Sequence, residues 1–311
     1  MRRRAAIALL LIGALAGESG VCAWAGAAAA APASDATPMR YVHPPPESPL
    51  DHRYDFEWQI LRTALERTRA GYGPFEIAES EFMTERRQVH ELSTDSGKLS
   101  LLFLGTTADM ERDLLPVRIP VDLNLQGYCV LLIRREDQAR FAGVRSLDDL
   151  RRFSFGLGLG WIDVDILRAN GFNVVTGSSY EGLFSMLQQR RFDVFLRSAV
   201  EVLDEFDQRR AALPDLAIEE QLVLYYPMPM YFWFARTSAG QRLAARVEAG
   251  MRRMLDDGSY TRIFMQYQQQ KISRLRLDRR RVLAIDNPLL PAATPLGDRR
   301  LWFDPQPRAA R

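Results

Sequence analysis

Residues 153–198 read FSFGLGLGWIDVDILRANGFNVVTGSSYEGLFSMLQQRRFDVFLRS, and their spacing predicts strand, glycine turn, helix, strand, helix, strand with almost no spare residues. Phe153 and Phe155 run into Gly156, Gly158 and Gly160, a turn where backbone amides can approach a ligand. Helical spacing from Trp161 to Asn170 stops at Gly171. Phe172 to Val175 returns as a strand, and Ser178 with Glu181 predicts a capping box ahead of Tyr180, Leu183, Phe184 and Leu187 at helical intervals. Phe192 to Leu196 is almost continuously apolar, as in strands of a parallel sheet covered on both faces. In such sheets ligands sit at the carboxyl ends of the strands, which makes Trp161, Asp163, Arg197 and Ser198 candidates.

The 311 residues are 47% hydrophobic and 26% charged, enough chain for two core-bearing units. Arg2, Arg3 and Arg4 precede the apolar run AAIALLLIGALAG and a stretch of small residues, the pattern of a secretory signal peptide, expected over residues 1–27. Cleavage removes three arginines and one glutamate and turns the net charge of +2 into balance, without the basic excess a nucleic-acid partner needs. Cys129 alone survives processing, so no intrachain disulfide can form, and it is expected as a buried thiol in the strand Tyr128 to Ile133.

Outward from the central stretch, strands and helices alternate. A strand at Met39 to Val42 is followed by a proline-rich loop, and helices are expected at Tyr54 to Thr68 and Glu81 to Glu91. Strands are expected at Phe75 to Ile77, Leu99 to Leu104 and Val117 to Val121, with Leu222 to Tyr226 and Tyr231 to Phe234 forming a further strand pair. A long helix from Ala239 to Leu255 ends at Gly258, and Ser259 caps the next. The basic run from Arg274 to Arg281 reads as a solvated helix end, followed by a proline-rich tail.

The chemistry of known motifs is sparse. The third glycine of a dinucleotide fingerprint would fall on Trp161, and no Walker A sequence, zinc spacing or G-x-S-x-G elbow occurs, so neither a cofactor nor a metal is expected. The helix start after Gly160 could receive an anion, and Arg197 could grip a carboxylate or phosphate or instead pair with Glu201 four residues on.

Several segments resemble the periplasmic solute-binding proteins of the amino-acid-receptor type, family three of the extracellular solute-binding proteins. They are the opening strand with its loop to Arg53, ERDLLPVRIP from Glu111 to Pro120, the crossing GYCVLLI, RSLDDLRRFSFGLGLGW, RRFDVF and MLDDGSYTRIF. The resemblance spans Thr37 to Lys271 and implies a two-lobed α/β fold of the type II periplasmic-binding-protein kind, the second lobe inserted in the first through two hinge crossings. It implies lobe 1 over residues 37–124 with 228–275, lobe 2 over 125–227, and a C-terminal extension, 276–311, packed on lobe 1. It further implies a monomeric periplasmic receptor for a small-molecule solute, serving an ABC-type transporter, with Trp161, Asp163, Arg197, Glu201, Thr106, Thr107, Glu111 and Arg53 around the ligand. Amino-acid receptors usually carry an aspartate where Arg197 stands and an arginine where Ala108 and Asp109 follow the threonines, which implies a polar or acidic solute. Two rival readings are a partner of a membrane sensor and an enzyme similar to the periplasmic cyclohexadienyl dehydratases, with Asp163 or Glu201 as acid or base.

Overall fold

The computed structural model describes residues 37–46 and 54–306. In the first lobe β1 (Met39–His43) pairs in parallel with β2 (Phe75–Glu79), with α1 (Asp55–Arg67) and α2 (Arg69–Tyr72) between them. The chain continues through α3 (Glu85–Ser93), β3 (Leu102–Gly105), α4 (Ala108–Asp113) and β4 (Leu114–Val117) to a first crossing. The second lobe holds β5 (Tyr128–Arg134), α5 (Gln138–Phe141), α6 (Leu147–Leu150), β6 (Ser154–Gly158), α7 (Ile162–Ala169) and β7 (Asn173–Gly177). It is completed by α8 (Tyr180–Gln188), β8 (Val194–Ser198), α9 (Val202–Arg209), β9 (Leu216–Ile218) and β10 (Leu222–Tyr225). A second crossing returns to β11 (Met230–Ala235), α10 (Ser238–Asp256) and α11 (Ser259–Leu275), and β12 (Arg281–Ala284) follows.

The two larger sheets never merge. In one, β11 lies antiparallel between β3 and β4; the other runs β12-β10-β5-β8-β6-β7, with β9 also on β5. Every residue of β5 is buried, because Val130 and Leu132 face one apolar cluster while Leu131 and Ile133 face another. The first cluster is shared by both lobes: Ile60, Leu61 and Leu65 of α1 and Val247 and Met251 of α10 join Leu183, Phe184 and Leu187 of α8. Gly250 lets α10 lie directly on α1, since a Cβ there would stand 2.2 Å from the Ala64 carbonyl oxygen.

Four local expectations change. Leu222–Tyr225 and Met230–Ala235 do not pair with each other but enter different sheets. Pro227 and Pro229 stand between them and, having no N–H, cannot continue a ladder, so the segment becomes a crossing. The strand expected at Val117 to Val121 ends at Val117, where the Ile119 amide donates back to the Val117 carbonyl at 2.7 Å and Pro120 has no N–H to extend the ladder. Asp122 then turns the chain by accepting from the Asn124 amide at 3.0 Å and the Gln126 amide at 2.6 Å. Ser179, not Ser178, caps α8 by accepting from the Gly182 amide at 3.2 Å. Its glutamate, Glu181, turns outward to Arg209 at 2.5 Å.

The C-terminal segment divides between the lobes. β12 adds to the second lobe's sheet in parallel with β10 and covers its edge, which the expected packing on the first lobe did not include, while the residues after it do reach the first lobe. The basic run is not wholly a solvated helix end either. Arg280 is buried and donates to the Leu275 carbonyl at 2.6 Å and the Leu222 carbonyl at 3.0 Å, fastening the start of β12. The chain then turns back to the first crossing, where the Phe303 amide donates to the Leu123 carbonyl at 2.7 Å, and Arg300 reaches Asp256 of α10 at 3.3 Å.

Candidate functional site

Strand register sets where the candidate residues gather. Gly105, the last residue of β3, pairs with Met230, the first residue after the second crossing, so Thr106 and Thr107 lie on the first lobe's edge beside that crossing. In the second lobe Cys129, at the start of β5, pairs with Ser198, and Val130 with Arg197. β6 runs parallel to β8, so Gly158 and the following Trp161 and Asp163 end on the same crossing-side edge. The topology therefore brings both groups to the edges that flank the two crossings.

On the second lobe the arginine is saturated on one side. The Arg197 Nε donates to Glu205 Oε2 at 2.7 Å, and Nη2 donates to Glu205 Oε1 at 2.5 Å and to Glu201 Oε2 at 2.8 Å. Its guanidinium carbon lies 4.9 Å from the Trp161 ring centre, 5.4 Å from Phe195 and 5.7 Å from Tyr180. The Tyr180 hydroxyl donates to Glu205 at 2.7 Å, and Arg209 lies over Tyr180 and Phe184. The Glu201 side chain stays 40% exposed, which leaves it the accessible acceptor of the group. Loss of surrounding water raises its carboxyl above the usual range, against the pull of Arg197.

Asp163 is held by the Tyr226 hydroxyl, and that hydroxyl also accepts from the Cys129 thiol at 3.3 Å. Burial is the main reason that Asp163, Tyr226 and Cys129 all stand above their ordinary pKa values. Asp163 and Asp165 lie in the first turn of α7, so the chain's own carboxylates occupy the positive end of that helix.

The glycines serve a purpose other than amide approach. Gly156 and Gly158 are inside β6, where a Cβ would stand 2.1 Å from the Phe192 ring and 2.3 Å from the Trp161 ring. Only Gly160, with φ +87°, makes the turn. Gly158→Ala should therefore expel the indole from its seat on Arg197. The expected result is a changed near-ultraviolet circular dichroism signal matching that of Trp161→Phe; a spectrum identical to the parent's would refute this seating.

On the first lobe Thr106 is buried with no hydrogen-bond partner for its hydroxyl. Thr107 caps α4, accepting from the Met110 amide at 3.1 Å. Glu111 is engaged by Arg118, with contacts at 3.2 and 2.5 Å. Elsewhere in this lobe His43 stacks on Trp58 with ring centres 4.1 Å apart, and Trp58 stacks in turn on Phe232 at 6.1 Å. Arg53 lies outside the described residues. Among the described residues no cluster of three His, Cys, Asp or Glu side chains forms a metal site, and no helix is long and apolar enough to cross a membrane.

Sequence reading missed Glu205, Tyr180 and Tyr226. Glu205 follows Glu201 by four residues and was open to detection from helical spacing; the two tyrosines arrive from α8 and the second crossing, with no local signal.

No protein-family model matches the sequence, and no curated protein matches it either. Solved structures do. YckB from Bacillus subtilis superposes with TM-score 0.50 at 17% identity, over 80% of this chain and 96% of that one. An ancestral arginine-binding protein bound to glutamine gives 0.50 at 15% identity, over 74% and 96%. The GluR0 ligand-binding core in complex with L-glutamate gives 0.50 at 12% identity, over 76% and 100%. The chain has the two-lobed fold these proteins share.

Proposed function

We propose that the chain is a secreted solute-binding protein that takes a small polar solute between its lobes, beside the two crossings. What supports this reading is that Thr106 lies beside the second crossing on one lobe while Trp161, Arg197 and Glu201 lie at the crossing-side edge of the other. The lobes are linked by the crossings, by the C-terminal strap (residues 285–306) and by contacts of α11 with α9 such as Arg274 with Asp207. Hinged closure of two such edges excludes water and strengthens every polar contact made there. The buried, unpartnered Thr106 hydroxyl supplies one such contact, and the exposed face of Glu201 supplies an acceptor. Arg197 is already held by Glu201 and Glu205, while Glu201 keeps an accessible oxygen that accepts, so the arrangement favours a solute bearing hydrogen-bond donors over an acidic one. Delivery to a membrane transporter of the ABC class is the role this reading assigns to the closed form, and the signal-like amino terminus supports a periplasmic location.

The test is thermal denaturation of the processed protein against panels of amino acids, amines, polyols and small carboxylates, with denaturing mass spectrometry of whatever co-purifies. A donor-bearing polar solute should raise the melting temperature by several degrees, corresponding to roughly 3 kcal/mol at a hundredfold excess over Kd. Trp161→Ala should remove that shift. A panel without effect, together with no co-purifying molecule, overturns the reading, and so does turnover of the bound compound.

A further inference from the structure

The ends of β5 and β10, Val282 of β12 and the C-terminal strap line a recess of about 550 Å³. Its floor is the pair Tyr128 and Tyr225, the first residue of β5 and the last of β10, whose ring centres lie 4.7 Å apart. These are the points where each crossing enters the second lobe. Trp302 and Phe303 of the strap form the facing wall, with Leu296 and Arg299 at the rim.

The wall is fixed to both sides of the hinge. Phe303 donates its amide to Leu123 and accepts from the Tyr128 hydroxyl at 2.9 Å, while its ring meets Phe264 of α11 at 5.3 Å. The Trp302 indole is oriented by donation to the Pro295 carbonyl at 2.9 Å. Two polar groups at the recess remain uncommitted. The Tyr225 hydroxyl only accepts, from the Asn124 amide at 3.4 Å, so its proton is free to donate. The Arg299 side chain has no partner among the described residues, whereas the adjacent Arg300 is held by Asp298 and Asp256. The one carboxylate on the lining, Asp304, accepts from the Gln306 backbone amide at 2.9 Å and adds negative charge near the Tyr128 and Tyr225 hydroxyls, so the attraction of the recess for an anion rests on Arg299.

We infer that this recess is a second small-molecule site, distinct from the gap between the lobe edges, which takes a flat aromatic anion. The ring lies between the tyrosine pair and Trp302, and the carboxylate meets Arg299 and the Tyr225 hydroxyl. A volume of this size accommodates a bicyclic ring, and aromatic pairs favour offset or edge contacts of the kind these walls present. Tyr128 and Tyr225 are direct cross-strand partners of β5 and β10, so the floor is fixed within the second lobe.

The experiment titrates the processed full-length protein with indole-3-carboxylate, and with neutral indole and with acetate as controls, by calorimetry. Saturable binding of indole-3-carboxylate is expected, with weaker binding of indole and none of acetate. Arg299→Ala should weaken the carboxylate at least tenfold and leave indole unchanged. Leu296→Trp, made at a position that is 55% exposed, should fill the recess and abolish both without disturbing the fold. Trp161→Ala, on the other edge, should change neither. Absence of saturable binding at millimolar ligand, or binding that survives Leu296→Trp, overturns the inference. Loss of binding in Trp161→Ala with retention in Arg299→Ala would place the ligand between the lobes and overturn it too.

Discussion

Arg197→Met should destabilise the second lobe by about 3–5 kcal/mol in urea unfolding, because it strands a buried carboxylate. Arg197 and Glu205 each leave only 11% of their side chains exposed, and three of the arginine's donor contacts run to Glu205 and Glu201. An arginine whose task is to grip a ligand would leave the empty protein's stability unchanged on removal. Here Met preserves much of the packing against Trp161, Phe195 and Tyr180, so the loss isolates the unpaired charge. Adding Glu205→Gln to Arg197→Met should restore much of the stability, since the stranded charge goes with it. A loss below about 1 kcal/mol would show the pair to be dispensable, at the scale of an exposed salt bridge.

Glu57→Gln should stabilise the protein at alkaline pH. Glu57 sits on α1, buried, with Oε2 lacking a partner, and burial raises its carboxyl from 4.5 to about 8, with Asp122 adding to the rise. Between those values the folded chain keeps a proton that the unfolded chain has lost. Stability therefore falls as pH rises through this window, by up to about 1.4 kcal/mol per pH unit; the contribution is neutral below 4.5 and fully unfavourable above about 8. Asp122, at the first crossing, behaves alike over a lower window, from 3.8 to about 6. The glutamine variant should keep the decline below pH 6 and lose it between 6 and 8, ending with the higher melting temperature at pH 8.5. Parallel curves for parent and variant across that upper interval would exclude the effect.

Strand periodicity and turn residues are local properties, and they made the central lobe legible. The run from Phe153 to Ser198 folds in the order its spacing predicts, with ends displaced by one or two residues. The candidate site was legible in part. Trp161, Asp163, Arg197 and Glu201 do gather at one edge, because parallel strands deliver their carboxyl ends to a common side. Their commitments were not legible. That Arg197 is bound by Glu205 and roofed by Tyr180, and that Asp163 meets Tyr226, depends on segments separated by up to 63 residues.

The amino-acid sequence by itself determined the alternation of strand and helix, the all-buried central strand β5 and the apolar faces that cover it, since hydrophobic spacing and backbone restriction act within a few residues. Tertiary structure alone decided that Leu222–Tyr225 and Met230–Ala235 part into separate sheets, that β12 closes the second lobe's edge, and that the strap returns to the crossings. Those outcomes depend on which distant edge offers unpaired main-chain groups and which charge arrives beside which, and only the folded packing of the whole chain sets that.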